Sequence, residues 1–262
     1  MKLSVSNIGW DGADDEQVYH LMRSMGFNGL EIAPTRIFPE NPYDDLSRAS
    51  EWAMRLMDAY GFVVSSMQSI WYGRTEKLFG SYDERNELIM YTKKAIDFAE
   101  AIGCANLVFG CPRNRSIPNN ADAGTAIAFF KEISDYALEH QTVIAIEANP
   151  PIYNTNYIND TKSAIDLVEE INSDGFKLNL DIGTMVENKE DVSILEGKEK
   201  YINHIHISEP RLKTIEKRMI HWQLAELLRQ CKYDKYVSIE VGKQGNISDL
   251  KKMMEYVRDI MT

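Results

Sequence analysis

The chain has 262 residues, 44% hydrophobic and 26% charged, with 29 Lys and Arg against 40 Asp and Glu for a formal net charge of −11. That size suits one large domain with ample apolar material for a core. The acidic balance, with no Lys/Arg stripe, argues against binding nucleic-acid backbone or an anionic membrane surface through bulk charge. The stretch Met1–Asn7 lacks an apolar core of signal-peptide length, and no segment approaches a membrane span. Cys104, Cys111 and Cys231 show neither CxxC spacing nor an even count, so reduced thiols in a cytoplasmic protein are expected.

Taken in chain order, apolar β-branched runs alternate with longer segments of helical period. Strands are expected near 3–8, 28–33, 62–67, 105–110, 142–148, 176–181, 202–207 and 236–241. Helices are expected near 14–26, 45–60, 83–103, 122–140, 160–173, 189–197, 218–231 and 247–261. This alternation predicts parallel pairing through helical crossovers, and a single-domain (β/α)8 TIM barrel over residues 1–262. A doubly wound open sheet is the alternative, but Gly9-Trp10-Asp11-Gly12 after the first strand lacks its Gly-rich fingerprint. Gly26, Gly61 and Gly103 fit left-handed helix ends, Asp83 and Asp160 fit N-caps, and Asp14, Asp15 and Glu16 fit a first turn. The longest connections, 34–44, 68–82, 111–121 and 148–159, all follow strands, the end where a barrel carries its active-site loops.

The last four strands each finish in a side chain able to hold a metal: Ile144-Ala145-Ile146-Glu147, Leu178-Asn179-Leu180-Asp181, His204-Ile205-His206-Ile207 and Val237-Ser238-Ile239-Glu240. Alternate strand residues face opposite ways. One face is wholly aliphatic and should meet the helices, so the polar face should point inward. Glu147, Asp181, His206 and Glu240 then occupy the last inward positions, in register. Three carboxylates crowded at one mouth repel unless a cation offsets them. A hard oxygen set with one imidazole suits one divalent ion, whether Mn, Co, Mg, Fe or Zn. Asn179, His204 and Ser238, one layer deeper, can orient the ligands.

These runs, with Glu147-Ala148-Asn149-Pro150, Asp181-Ile182-Gly183-Thr184, His206-Ile207-Ser208-Glu209-Pro210 and Gly26-Phe27-Asn28-Gly29-Leu30-Glu31-Ile32, resemble the xylose isomerase-like TIM barrel family, which includes sugar phosphate isomerases and epimerases. The resemblance implies that Glu147, Asp181, His206 and Glu240 are the metal ligands. It also implies that Glu147 and Glu240 act as acid and base on opposite faces of a sugar. His221 looks like a histidine that approaches the site in relatives. Thr184 stands where many relatives carry a substrate-touching histidine. The family's three-zinc nucleases are histidine-rich, whereas this chain has five histidines, of which His20 and His140 fall in helical patterns.

Other residues after strands are candidate substrate contacts. Arg113 and Arg115 offer donor forks to a phosphate or carboxylate. Glu209, Arg211 and Lys213 follow the seventh strand, and Gly242-Lys243-Gln244-Gly245 sits where barrels often hold phosphate. Trp10, Met67, Gln68, Trp71, Tyr72 and Tyr153 are candidate pocket walls, while Glu31 is open to a substrate hydroxyl or to Arg36.

The function expected is a metal-dependent isomerase or epimerase of a ketose, sugar phosphate or related polyol. Glutamate-mediated proton transfer would run through a metal-stabilised enediolate. The alternatives are a metal-dependent dehydratase and a non-catalytic sugar-binding barrel. The partner expected is a small-molecule sugar, with a homo-oligomer open.

Overall fold

The computed structural model describes residues 1–262. Eight parallel strands pair in chain order and close on themselves, making a single-domain (β/α)8 barrel. They are β1 (Lys2–Ser6), β2 (Gly29–Ile32), β3 (Val63–Met67), β4 (Leu107–Phe109), β5 (Ile144–Glu147), β6 (Phe176–Asp181), β7 (Ile202–Ile207) and β8 (Tyr236–Ile239). The helices are α1 (Asp15–Ser24), α2 (Pro34–Ile37), α3 (Leu46–Tyr60), α4 (Tyr82–Ala101), α5 (Gly124–Glu139), α6 (Thr161–Ile171), α7 (Ile182–Asn188), α8 (Met219–Gln230) and α9 (Ile247–Met261). None is long and apolar enough to cross a membrane.

The aliphatic face identified in the last four strands is buried, from Ile144 and Ile146 through Leu178, Leu180, Ile205 and Ile207 to Val237 and Ile239. Burying such side chains stabilises by about 25 cal/mol per Å² of apolar surface. The barrel interior is different in kind. Ser4 meets Ser65 at 2.6 Å, and Asn106 donates to Ser66 at 2.9 Å, so the inner layers are cross-linked by hydrogen bonds.

The four predicted donors do not lie in one hydrogen-bonded row. Glu147 pairs with Asn179, whereas Asp181 pairs with His206 and His206 with Ser238. Barrel strands tilt and stagger, so residues at one height come from different rows. Register also slips between Leu178 and Asn179, leaving Asn203 as an extra residue on β7. Asn203 donates to Asn106 at 2.7 Å.

Two local expectations fail for identifiable reasons. No α-helix spans 189–197; α7 starts directly after β6, followed by a 3-10 turn at Val192–Leu195. The Asp181 side chain caps α7 by accepting from the Thr184 N–H at 2.8 Å, so the last residue of the strand starts the helix. Ser81, rather than Asp83, caps α4, in a reciprocal pair with Glu84. Asp160 caps α6 as expected, and Gly26, Gly61 and Gly103 adopt positive φ.

Candidate functional site

The strand ends of β5 to β8 bring Glu147, Asp181, His206 and Glu240 together, with one ligand atom from each lying within 4.8 Å of the others. His206 is the centre of the set. Its Nδ1 stands 3.0 Å from Glu147 Oε1 and 3.2 Å from Glu240 Oε2. Its Nε2 stands 2.8 Å from Glu31 Oε2, which is also 3.0 Å from His204 Nε2. A carboxylate accepts only, so an Nε2–H donating to Glu31 leaves Nδ1 to face the donor set. Glu31 therefore meets neither a substrate hydroxyl nor Arg36, which pairs with Asp15 at 2.5 Å.

Each carboxylate is held by neutral donors. Glu147 Oε1 accepts from Asn179 at 2.8 Å and Oε2 from Asn149 at 3.1 Å. Glu240 Oε1 accepts from Gln68 Nε2 at 2.9 Å, and the same amide donates to Ser6. Asp181 accepts from Thr184 and from the Ser208 hydroxyl. Ser208 is itself fixed by accepting from Gly183 N–H at 2.9 Å.

The electrostatics follow from burial and crowding. Burial pushes the Glu240 carboxyl up to about 7, with the charges of Glu147 and Glu31 adding to it against the pull of His206. Burial and the charge of Glu147 raise Asp181. Burial alone would lower His206, but the charges of Glu240 and Glu31 raise it well above the usual imidazole range. Glu31 is likewise opposed by burial, yet His206 and His204 hold it below the ordinary carboxylate range. No lysine or arginine comes within ion-pair distance of the three mouth carboxylates, and His206 is the cationic group in direct contact with them. A divalent cation fits this donor set, because a single imidazolium proton otherwise serves three convergent carboxylates.

The remaining predicted contacts scatter. Gln68 reaches the set through Glu240. Tyr153 spans the mouth, its hydroxyl accepting from the Arg211 N–H at 2.7 Å. Burial and the nearby charges of Asp181, Glu147 and Glu240 push that phenol up to about 12. Arg211 takes a left-handed backbone at φ 62 to make the bridge, and its side chain is exposed, as is that of Arg113. Thr184 is buried, and its hydroxyl lies 2.8 Å from the Ala148 carbonyl and 2.9 Å from Asp181.

Seven of the candidate residues are redirected by the fold. Arg115 is fully buried and bonds Asn149, so it offers no fork to a substrate anion. Glu209 is sealed beneath its loop in a two-pronged pair with Arg218, at 2.7 Å for both contacts. His221 is buried against α9, with Nδ1 3.0 Å from the Tyr256 hydroxyl, rather than at the mouth. Trp10 spends its indole N–H on Asp15 at 2.7 Å and packs edge-on to Tyr19. Trp71 and Met67 belong to the core, Trp71 against Phe109 and Phe129, while Tyr72 is exposed.

Two supporting residues were not read as such from the sequence. Glu31 had a signal, being a carboxylate between Leu30 and Ile32 in an otherwise apolar strand. Asn149 had none beyond its place two residues after Glu147.

A family model described as xylose isomerase-like TIM barrel matches residues 19–260. No curated protein matches the sequence at a significant level. Among solved structures, a D-psicose 3-epimerase from Clostridium cellulolyticum H10 superposes with a TM-score of 0.80 at 15% identity, over 100% of this chain and 99% of that one. A 3-keto-D-glucoside 4-epimerase from E. coli gives 0.77 at 15% identity, over 99% of both chains. A probable 3-DHS dehydratase from Bacillus anthracis gives 0.69 at 15% identity, over 98% of both. At such identities these likenesses speak for the fold alone.

Proposed function

The chain belongs to the xylose isomerase-like TIM barrel family, and we propose that it is a divalent-metal-dependent isomerase or epimerase of a ketose, sugar phosphate or related polyol. The observation that carries this reading is the convergence of Glu147, Asp181, His206 and Glu240 at one barrel mouth, with no lysine or arginine ion-paired to them. These four residues would hold the ion. Bound there, it would supply Lewis-acid polarisation of a substrate carbonyl.

The chain's own residues divide the proton chemistry. One of Glu147 and Glu240 takes the proton from the carbon next to the carbonyl, and the electron pair of that C–H bond passes into the enediolate. The other returns a proton to the opposite face. Which of the two acts first as base depends on the face of the substrate that carries the proton. Gln68 holds Glu240 and Asn149 holds Glu147, so neither carboxylate must reorganise to react. Tyr153, bridged to Arg211, narrows the mouth above them. The acidic donor set, in a chain of net charge −11, favours a small polyol over a nucleic acid.

The test begins with metal analysis of the wild type beside His206→Ala. About one equivalent of divalent metal in the wild type, lost in the variant, is expected for a four-donor site. Ketoses are then screened for solvent deuterium incorporation. Glu147→Gln and Glu240→Gln should each abolish exchange with a substrate that the wild type labels. Metal binding without exchange in any ketose, or loss of water from the product, would overturn the isomerase reading and favour a binding barrel or a dehydratase respectively.

A further inference from the structure

Arg115, in the loop after β4, places a cation inside the protein with only neutral partners. Its side chain is fully buried, and its guanidinium donates to Asn149 Oδ1 at 2.9 Å, the Ile158 carbonyl at 3.3 Å and the Phe109 carbonyl at 3.4 Å. Its Nε has no partner. Burial opposes the charged form and the charge of Glu147 offsets only part of that, with no carboxylate hydrogen-bonded to the guanidinium, so a side chain kept there calls for a role.

The role follows from donor and acceptor chemistry. A guanidinium only donates, so the Asn149 amide must turn its oxygen to Arg115. Its NH2 is then committed to Glu147 Oε2, at 3.1 Å. The flipped amide would set NH2 against the guanidinium and its oxygen against a carboxylate, so neither contact would survive. The Asn149 backbone is pinned as well, its N–H donating to Ile158 at 3.0 Å and its carbonyl accepting from Asn159 at 2.7 Å. Glu147 Oε2 is walled on another side by Gly110, where a Cβ would lie 2.9 Å away. With Oε2 fixed, Oε1 is left facing His206 Nδ1 at 3.0 Å.

Gln68 does the matching work for Glu240, with a difference. Its amide oxygen accepts from the neutral Ser69 hydroxyl at 2.8 Å, so no charge dictates that orientation.

We infer that Arg115 is a positioning residue for Glu147, acting through Asn149 to fix which carboxylate oxygen turns to the metal position. The inference rests on the metal-site reading above, and the two fail separately. The probe is Co²⁺, titrated into the full chain and followed by its visible d–d absorption, with folding checked by circular dichroism. The wild type is expected to bind with a defined spectrum. Arg115→Met and Asn149→Ala should each weaken Co²⁺ binding at least about tenfold and alter the spectrum. The double variant should be no weaker than Asn149→Ala alone, since both act in one chain of contacts. Arg115→Lys should recover part of the loss by restoring a donor.

Wild-type affinity and spectrum in Arg115→Met, or a double variant in which the two losses add, would overturn the inference while leaving the metal site standing. If Arg115→Met does not fold, Asn149→Ala decides, and an unchanged Co²⁺ spectrum there overturns it. A wild type that binds no Co²⁺ removes the metal-site reading, and this inference with it.

Discussion

Strands β5 to β8 each deliver a donor to the barrel mouth, whereas β1 to β4 deliver none of the four and supply groups that hold them. Glu147, Asp181, His206 and Glu240 end the second half. In the first half, Ser6 backs Gln68, Gln68 holds Glu240, Glu31 holds His206, and Gly110 makes room for Glu147. The contrast teaches that a metal centre in a closed barrel is a joint product. The second half supplies the four donors and holds Glu147 and Asp181 itself, while the first half holds His206 and Glu240, because a ligand is only as well placed as the groups it bonds to.

Glu31→Gln is the largest test of that division. Its amide keeps the shape of the side chain but removes the carboxylate that His206 and His204 share. Divalent-metal affinity, measured by Mn²⁺ titration, is expected to fall about 10–100-fold. An unchanged affinity would mean that the second half positions itself.

Gly110→Ala should act in the same direction and less strongly. The added methyl would press on Glu147 Oε2, the far end of a side chain rather than backbone, so the fold should tolerate it while the carboxylate is displaced. The expected loss of Mn²⁺ affinity is on the order of fivefold, and a loss as large as that of Glu31→Gln would show that Glu147 matters more than the His206 support.

His221→Gln sharpens the comparison from outside the barrel, with no change in metal affinity expected. Burial lowers the His221 imidazole to about 4, so the folded chain resists a proton that the unfolded chain accepts near its ordinary value of 6.5. Its contribution to stability is therefore complete above about pH 6.5 and is lost as pH falls toward 4. Between pH 7 and pH 5 this amounts to about 2 kcal/mol, which the variant should not lose. Urea unfolding at the two pH values measures it, and equal acid sensitivity in both proteins would assign the lability to other groups.

The donor half was legible because its signal is local. Isoleucines and leucines alternating with Glu, Asp, His and Asn give a period of two that any inward-facing strand must show. The spacing of Val192, Ile194 and Leu195 misled for the same reason. Apolar periodicity there marks a 3-10 turn packed on the barrel, while α7 starts earlier on the capping of Asp181.

What the sequence by itself determined was the alternation of eight strands and helices, the inward face, and the four residues that end it. These depend on neighbours within a few positions, where backbone geometry dictates which way side chains point. Tertiary structure alone decided who meets whom across the barrel. Glu31 and His206 are 175 residues apart and touch only because closure sets β2 opposite β7. Arg115 could have faced solvent from its loop and is instead buried on Asn149. His221 could have reached the mouth and is turned to Tyr256. A polar side chain settles where its hydrogen bonds are completed, and those partners come from the packing of distant elements.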